Sequence, residues 1–190
     1  MKKRLLPLLL STALILPLLC PAAAAEETAT RRDLADALYA LANRPSVSQT
    51  QLYSDLTEAD DALHWISSEG YMVGYGSHTM APDQAITRNQ LATVLYEYAK
   101  EHNLALTKRA PIEAGTPKWA DDAISWATAN GVLDGIDRDQ AITASELDRA
   151  LSNLSKVAED PAAKDLNAIM DSPGVSGYAV MAYRDGELIY

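Results

Sequence analysis

Two arginines sit where a helix disfavours them. Arg31 and Arg88 each follow directly on a threonine, Thr30 and Thr87, that has the sequence context of a helix N-cap. Helix N-termini carry partial positive charge, so a cation in the first turn is disfavoured by roughly 0.3 kcal/mol or more. A local rule broken twice at equivalent positions points to function. The chemistry on offer is anion binding: a guanidinium beside free backbone N–H groups is a two-part receptor for a carboxylate, which the guanidinium can grip through two parallel bonds. Thr30, Arg31, Thr87 and Arg88 are therefore the polar candidates for a ligand site. Trp65 and Trp126 are the aromatic candidates, since an indole can stack on a sugar ring. A Trp on the apolar face of a repeat helix is more often core, and the matching Ala62 and Ala123 favour that reading for both. Trp119 is open to either role.

Other reactive side chains lead nowhere as definite. His64, His78 and His102 have no metal-ligand spacing and read as surface or edge residues. The pairs Asp60-Asp61 and Asp121-Asp122 read more simply as acids complementing a helix start than as catalytic carboxylates. No cofactor is expected.

The elements that position these residues are repeats. Thr30-Arg31-Arg32-Asp33-Leu34-Ala35, Thr87-Arg88-Asn89-Gln90-Leu91-Ala92 and Thr143-Ala144-Ser145-Glu146-Leu147-Asp148 align, with starts 57 and 56 residues apart. Each begins with Thr and carries Asp, Gln or Glu three positions on, the capping-box pattern, so each should open a helix. Apolar positions then recur at helical spacing: Leu34, Ala37, Leu38 and Leu41; Leu91, Val94, Leu95 and Tyr98; Leu147, Ala150, Leu151 and Leu154. A second aligned pair runs from Asp60-Asp61-Ala62-Leu63-His64-Trp65 through Gly70 and Gly74, and from Asp121-Asp122-Ala123-Ile124-Ser125-Trp126 through Gly131 and Gly135. Gly70 and Gly131 stand where a helix commonly ends in a left-handed residue, a conformation cheap only for glycine. Gly74 to Thr87 spans 13 residues and Gly135 to Thr143 spans 8, a five-residue loop deletion in an otherwise shared register. One unit of helix, glycine-ended turn, loop and capped helix cannot bury its own apolar face, so the units must pack together.

Residues 1–25 have the three-part layout of a secretory signal peptide: Lys2, Lys3 and Arg4, an apolar run from Leu5 to Leu19, and Ala22 to Ala25. Pro7 and Pro17 interrupt the run, which falls short of the ~20 residues of a spanning helix, so no permanent membrane span is expected. Cleavage after Ala25 removes three basic and no acidic residues, taking the formal charge from −10 to −13 and removing Cys20, the only cysteine. The remaining 165 residues are acidic and thiol-free. That excludes disulfides and thiolate metal sites, and leaves no general attraction to nucleic acid or anionic lipid. Any anionic partner must be held by a few placed groups.

In order along the chain, Tyr53-Ser54-Asp55, Trp65, Gly70-Tyr71-Met72-Val73-Gly74, Ala81-Pro82-Asp83 and Ile86-Thr87-Arg88-Asn89-Gln90 resemble the bacterial S-layer homology repeat. The resemblance covers roughly residues 28 to 155. It implies a mainly α fold, helical repeats in a pseudo-threefold bundle, that binds secondary cell-wall polysaccharide, often through acidic pyruvyl groups, and holds an exported protein at the cell surface. An arginine-centred carboxylate site suits a pyruvyl ketal on a sugar. The competing reading of each arginine is a bond to a carboxylate in a neighbouring repeat. Ala144 stands where the third repeat should carry its arginine, so the role extends to Arg31 and Arg88 only.

On this reading residues 26–156 are the repeats, divided into a half-repeat 26–45 and full repeats 46–102 and 103–156. Residues 157–190 add a helix from Asp160 to about Met170, a break at Ser172-Pro173-Gly174, and a C-terminal β-hairpin whose strand Tyr178–Tyr183 meets an Asp185-Gly186 turn. The hairpin is expected to be truncated at Tyr190, because a three-residue return strand is not stable alone. Ser172 to Tyr190 is weakly similar to the opening strands of serine β-lactamase-like hydrolases. Such enzymes need a Ser-x-x-Lys nucleophile motif, and neither it nor Ser-Asp-Asn or Lys-Thr-Gly occurs here. The given chain is thus expected not to be an enzyme; the alternative is the anchoring fragment of a secreted serine hydrolase whose catalytic part lies outside it. No oligomeric state follows from the sequence.

Overall fold

The computed structural model describes residues 26–47, 53–76, 78–104, 108–136 and 140–159, together with the backbone of 183–184 and 187–188. The described residues are mainly helical. They form α1 (Arg31–Leu41), α2 (Asp61–Ser68), α3 (Arg88–Glu101), α4 (Asp121–Ala129), entered by a 3-10 turn at Lys118–Ala120, and α5 (Ala144–Glu159).

Local chemistry sets both ends of these helices. The threonines open α1, α3 and α5 as full capping boxes. Asp33 N–H donates to Thr30 Oγ1 (3.2 Å) and Thr30 N–H to Asp33 Oδ2 (2.7 Å). Gln90 and Thr87 exchange the same two bonds (3.4 and 3.1 Å), as do Glu146 and Thr143 (3.3 and 2.8 Å). α2 and α4 end identically. Gly70 and Gly131 take φ of 76° and 68°. The following residues, Tyr71 and Val132, donate back to Ile66 and Ala127 (3.0 and 2.9 Å), which closes a Schellman motif and satisfies carbonyls the helix leaves open.

Three short segments just before the capped helices meet at one place. Ala29 N–H donates to Ile142, Ile142 N–H to Ile86, and Ile86 N–H to Ala29 (2.9, 3.1 and 3.0 Å), a closed ring of backbone bonds. Antiparallel bridges Thr28 to Thr143, Thr30 to Ala85 and Thr87 to Ala141 flank it. Each ring residue immediately precedes its N-cap threonine and is buried. The ring therefore fixes the starting points of α1, α3 and α5 relative to one another. From it α1 packs on α2 and α3 on α4, while α5 touches α1.

The core lies between these helices. Leu34, Leu38, Leu91, Leu95, Leu147 and Leu154 face it from the capped helices, and Leu63, Ile66, Ile124 and Trp126 from the glycine-ended ones. Leu41 departs from the expected face. It is exposed at the last turn of α1, and Ala35 is buried instead, because the α1 stripe facing α2 is set by Leu34, Ala35 and Leu38. His64 also departs from the surface reading. It is buried in α2, and its Nε2 donates to the Thr57 carbonyl at 2.9 Å, so the ring completes the turn that leads into the helix.

Near the C-terminus β1 (Tyr183–Arg184) pairs antiparallel with β2 (Glu187–Leu188), placing Tyr183 opposite Leu188. The expected leader at 1–25, the helix from Asp160, the break at Ser172-Pro173-Gly174 and the strand from Tyr178 to Ala182 lie outside the described residues.

Candidate functional site

Arg31 occupies the floor of a cleft of about 450 Å³ between α1, the Gly70-to-Tyr75 turn and one face of α3. The side chain is only 4% exposed. Its Nε donates to the Met80 carbonyl (2.8 Å) and its Nη2 to the Val73 carbonyl (2.7 Å) and, more weakly, Met80 Sδ (3.5 Å). The Tyr75 ring lies 4.8 Å from the guanidinium carbon, within cation–π range. Gln90 Nε2 donates to the Tyr75 hydroxyl at 2.8 Å and steadies that ring. Arg31 forms no ion pair with any described residue. Burial pulls its pKa below the usual arginine value, opposed by Tyr75, Tyr53 and Asp55 nearby. An arginine nonetheless stays charged, so this is a buried cation held by neutral acceptors.

The Gly70-to-Tyr75 turn is shaped by Tyr53 and Asp55. Tyr53 lies against Gly74 so closely that a side chain there would meet its ring, and Gly74 N–H donates to the Tyr53 hydroxyl (3.1 Å). Asp55 takes bonds from the N–H groups of Met80 (2.9 Å) and Ala81 (2.7 Å). Burial would raise the Asp55 pKa, but those two donors outweigh it and hold the carboxyl below its ordinary value. Both residues thus place the carbonyls that orient Arg31.

Two sequence expectations change here, those for the helix N–H groups and for the threonines, while both repeat tryptophans lie where the favoured core reading put them. The N–H groups of the first turn of α1 are already occupied: Arg31 N–H donates to Gln84 O (3.0 Å), Arg32 N–H to Pro82 O (2.9 Å), and Asp33 N–H to Thr30. At Arg31 the two-part receptor reduces to the guanidinium. Thr30 and Thr87 spend their hydroxyls on capping, and neither lines the cleft. Trp65 and Trp126, 4% and 0% exposed, are core; Trp126 Nε1 donates to the Leu104 carbonyl at 3.3 Å. Neither offers a ring face to a sugar.

Trp119 does. It is 61% exposed and lines the Arg31 cleft, brought there by the 3-10 turn ahead of α4. The sequence left its role open, because the matching position in the preceding unit is Glu58 and no pattern marks it. Tyr75 was likewise missed. The only signal was that it follows Gly74 directly, where Ile136 follows Gly135. Glu97 also lines the cleft, but its carboxylate is paired with Lys100 Nζ at 2.7 Å.

Arg88 has different surroundings. It is 7% exposed, and its Nη1 and Nη2 donate to Glu113 Oε2 and Oε1 (3.2 and 3.0 Å). The competing reading, a carboxylate from the neighbouring repeat, therefore holds for Arg88 and not for Arg31. The two equivalent arginines are not in equivalent sites.

Residues 53–92 match the S-layer homology domain family, a span that includes Tyr53, Asp55 and the Gly70-to-Tyr75 wall of the cleft. A 95-residue stretch is 33% identical to Cell surface glycoprotein 1 of Acetivibrio thermocellus, covering 44% of this chain. The matched stretch spans 4% of that protein's length. No solved structure matches the chain. By these matches the chain contains an S-layer homology domain at residues 53–92, a span that takes in the glycine-ended α2 and the Thr87 cap that opens α3.

Proposed function

We propose that the chain attaches an exported protein to the bacterial cell wall by binding secondary cell-wall polysaccharide, with the Arg31 cleft as the site for an acidic, pyruvylated sugar. The observation that carries this reading is the buried Arg31 guanidinium, which floors a cleft without a carboxylate partner among the described residues. Burying a cation is costly unless an anion compensates it. A ligand carboxylate arriving in the cleft supplies that anion, and the surrounding walls, built from Tyr71, Met72, Val73, Tyr75 and Trp119, suit the apolar face of a sugar and a ketal methyl. The S-layer homology match and the cell surface glycoprotein relative support anchoring at the cell surface. Among the described residues no helix is long and apolar enough to cross a membrane.

In the same proposal, the backbone ring through Ala29, Ile86 and Ile142 is the axis of a pseudo-threefold bundle, residues 26–156 are its repeats, and residues 1–25 direct export. Co-sedimentation of the chain from residue 26 onward with purified cell walls, before and after chemical removal of the secondary polymer, tests the function. Binding that disappears on stripping, and that Arg31→Ala weakens while helicity by circular dichroism is retained, is the expected result. Undiminished binding to stripped walls overturns the polysaccharide reading.

A further inference from the structure

The two arginines that follow an N-cap threonine differ in one respect that bears on binding: one already holds a carboxylate. Glu113 meets Arg88 through two parallel bonds of 3.2 and 3.0 Å, the geometry in which a guanidinium grips any carboxylate. We propose that Glu113 is a built-in competitor that occupies the Arg88 site, so that the chain takes its acidic sugar through Arg31 alone. The inference rests on the anchoring reading above and refines it.

The position of Glu113 supports this. Thr128 in α4 corresponds to Ser67 in α2, at the 61-residue offset that relates the two glycine-ended helices. Ser67 Oγ donates to the Tyr53 hydroxyl (3.3 Å), whereas Thr128 Oγ1 donates to Glu113 Oε1 (3.2 Å). The position matching Tyr53 is Ala114, too small to reach that place. The carboxylate of the preceding residue thus stands where the tyrosine hydroxyl stands in the other unit. A neutral hydroxyl beside Arg31 leaves its charge available; a carboxylate beside Arg88 does not.

The arrangement favours the internal group over an external one. Glu113 is held by Thr128 as well as by Arg88, and as part of the chain it acts at an effective concentration of roughly millimolar or above. An incoming sugar carboxylate replaces one pair of guanidinium bonds by an identical pair and forfeits the Thr128 bond. Arg88 Nε is buried and without a hydrogen-bond partner, whereas its counterpart Arg31 Nε is satisfied by the Met80 carbonyl.

Isothermal titration of the full chain with a methyl hexopyranoside carrying a 4,6-pyruvyl ketal tests the proposal. The wild type is expected to bind one equivalent, and Arg31→Ala to bind none. Glu113→Gln, which keeps the Thr128 contact and removes the charge, and Glu113→Ala, which also clears space, are expected to bind two equivalents. Arg31→Ala combined with Glu113→Gln recovers one, and further addition of Arg88→Ala removes it. With two sites on one chain, Glu113→Gln should bind intact walls about 100-fold more tightly. Two equivalents in the wild type, one remaining equivalent in Arg31→Ala, or a stoichiometry of one in both folded Glu113 variants overturns the competitor role while leaving the anchoring reading in place. No binding by any variant overturns the anchoring reading and the inference together.

Discussion

Gly74→Ala should damage the cleft although Gly74 has an ordinary backbone conformation, and it should do so more than Gly70→Ala, whose φ of 76° favours glycine. A methyl at position 70 meets nothing within 4 Å, so its effect is the left-handed backbone alone, about 1 kcal/mol. At position 74 the new methyl falls inside contact distance of both the Tyr53 ring edge and the Thr79 carbonyl oxygen. The oxygen is not free to retreat, because it accepts the Tyr75 N–H at 2.7 Å in the bridge that closes the loop. Overpacking of this kind costs about 1–3 kcal/mol. Displacing Tyr53 also breaks its bond from Gly74 N–H, for about 1 kcal/mol more. The sum is about 3 kcal/mol, and at about 4 °C per kcal/mol thermal unfolding followed by circular dichroism should show a fall in Tm of roughly 10 °C. Wall binding should weaken too, since the Val73 carbonyl that orients Arg31 precedes the altered residue. Gly70→Ala should lose only about 4 °C and bind normally. Equal or smaller damage from Gly74→Ala than from Gly70→Ala would refute the assignment of Gly74 as the close-approach position that shapes the cleft.

Further outcomes follow from the same contacts. Trp119→Ala should reduce wall binding about 10-fold, the effect of one stacking face worth roughly 1 to 1.5 kcal/mol, with Tm unchanged because the side chain is mostly exposed. Trp126→Ala should do the reverse, lowering stability by about 3–5 kcal/mol in thermal or urea unfolding, because it removes the largest fully buried side chain among the described residues. Arg31→Ala should weaken polymer binding 10- to 100-fold, about 1.5–3 kcal/mol for charge-assisted bonds, measured by sedimentation with walls. Asp60 supplies a pH dependence: burial raises its pKa, but bonds from Thr57 and Arg32 overcome this and bring it from 3.8 to about 2. Its folded pKa lies below the unfolded one, so its contribution of about 2 kcal/mol is complete above pH 4 and disappears as the pH falls through about 2. Asp60→Asn should flatten the acid limb of a stability-against-pH curve over that window and leave the neutral limb parallel to the wild type.

What could be read from the sequence shares a physical character: it is local. A capping box is a negotiation among four residues, so Thr30 with Asp33, Thr87 with Gln90 and Thr143 with Glu146 announced three helix starts before any fold was known. A Schellman glycine answers to the turn it ends, which made Gly70 and Gly131 equally legible. The helix faces followed from periodicity, with the exception of Leu41, which is exposed at the last turn of α1.

The site itself was legible only as a suspicion about Arg31 and Arg88. Which arginine is open depended on Glu113, 25 residues from Arg88 and outside every aligned motif. Which tryptophan faces a ligand depended on packing: all three are the same chemistry, yet Trp65 and Trp126 fill the space between helices and Trp119 is left at a cleft edge by the turn that carries it. The first-turn N–H groups of α1 looked available because nothing in the helix satisfies them, and were taken by Pro82 and Gln84 from a distant loop. Sequence alone therefore determined the Thr-capped helix starts, the glycine-ended helix stops and the S-layer homology resemblance at residues 53–92, since these rest on near neighbours along the chain. Tertiary structure decided which groups remain unpaired and exposed, because that depends on which distant segment arrives beside each one.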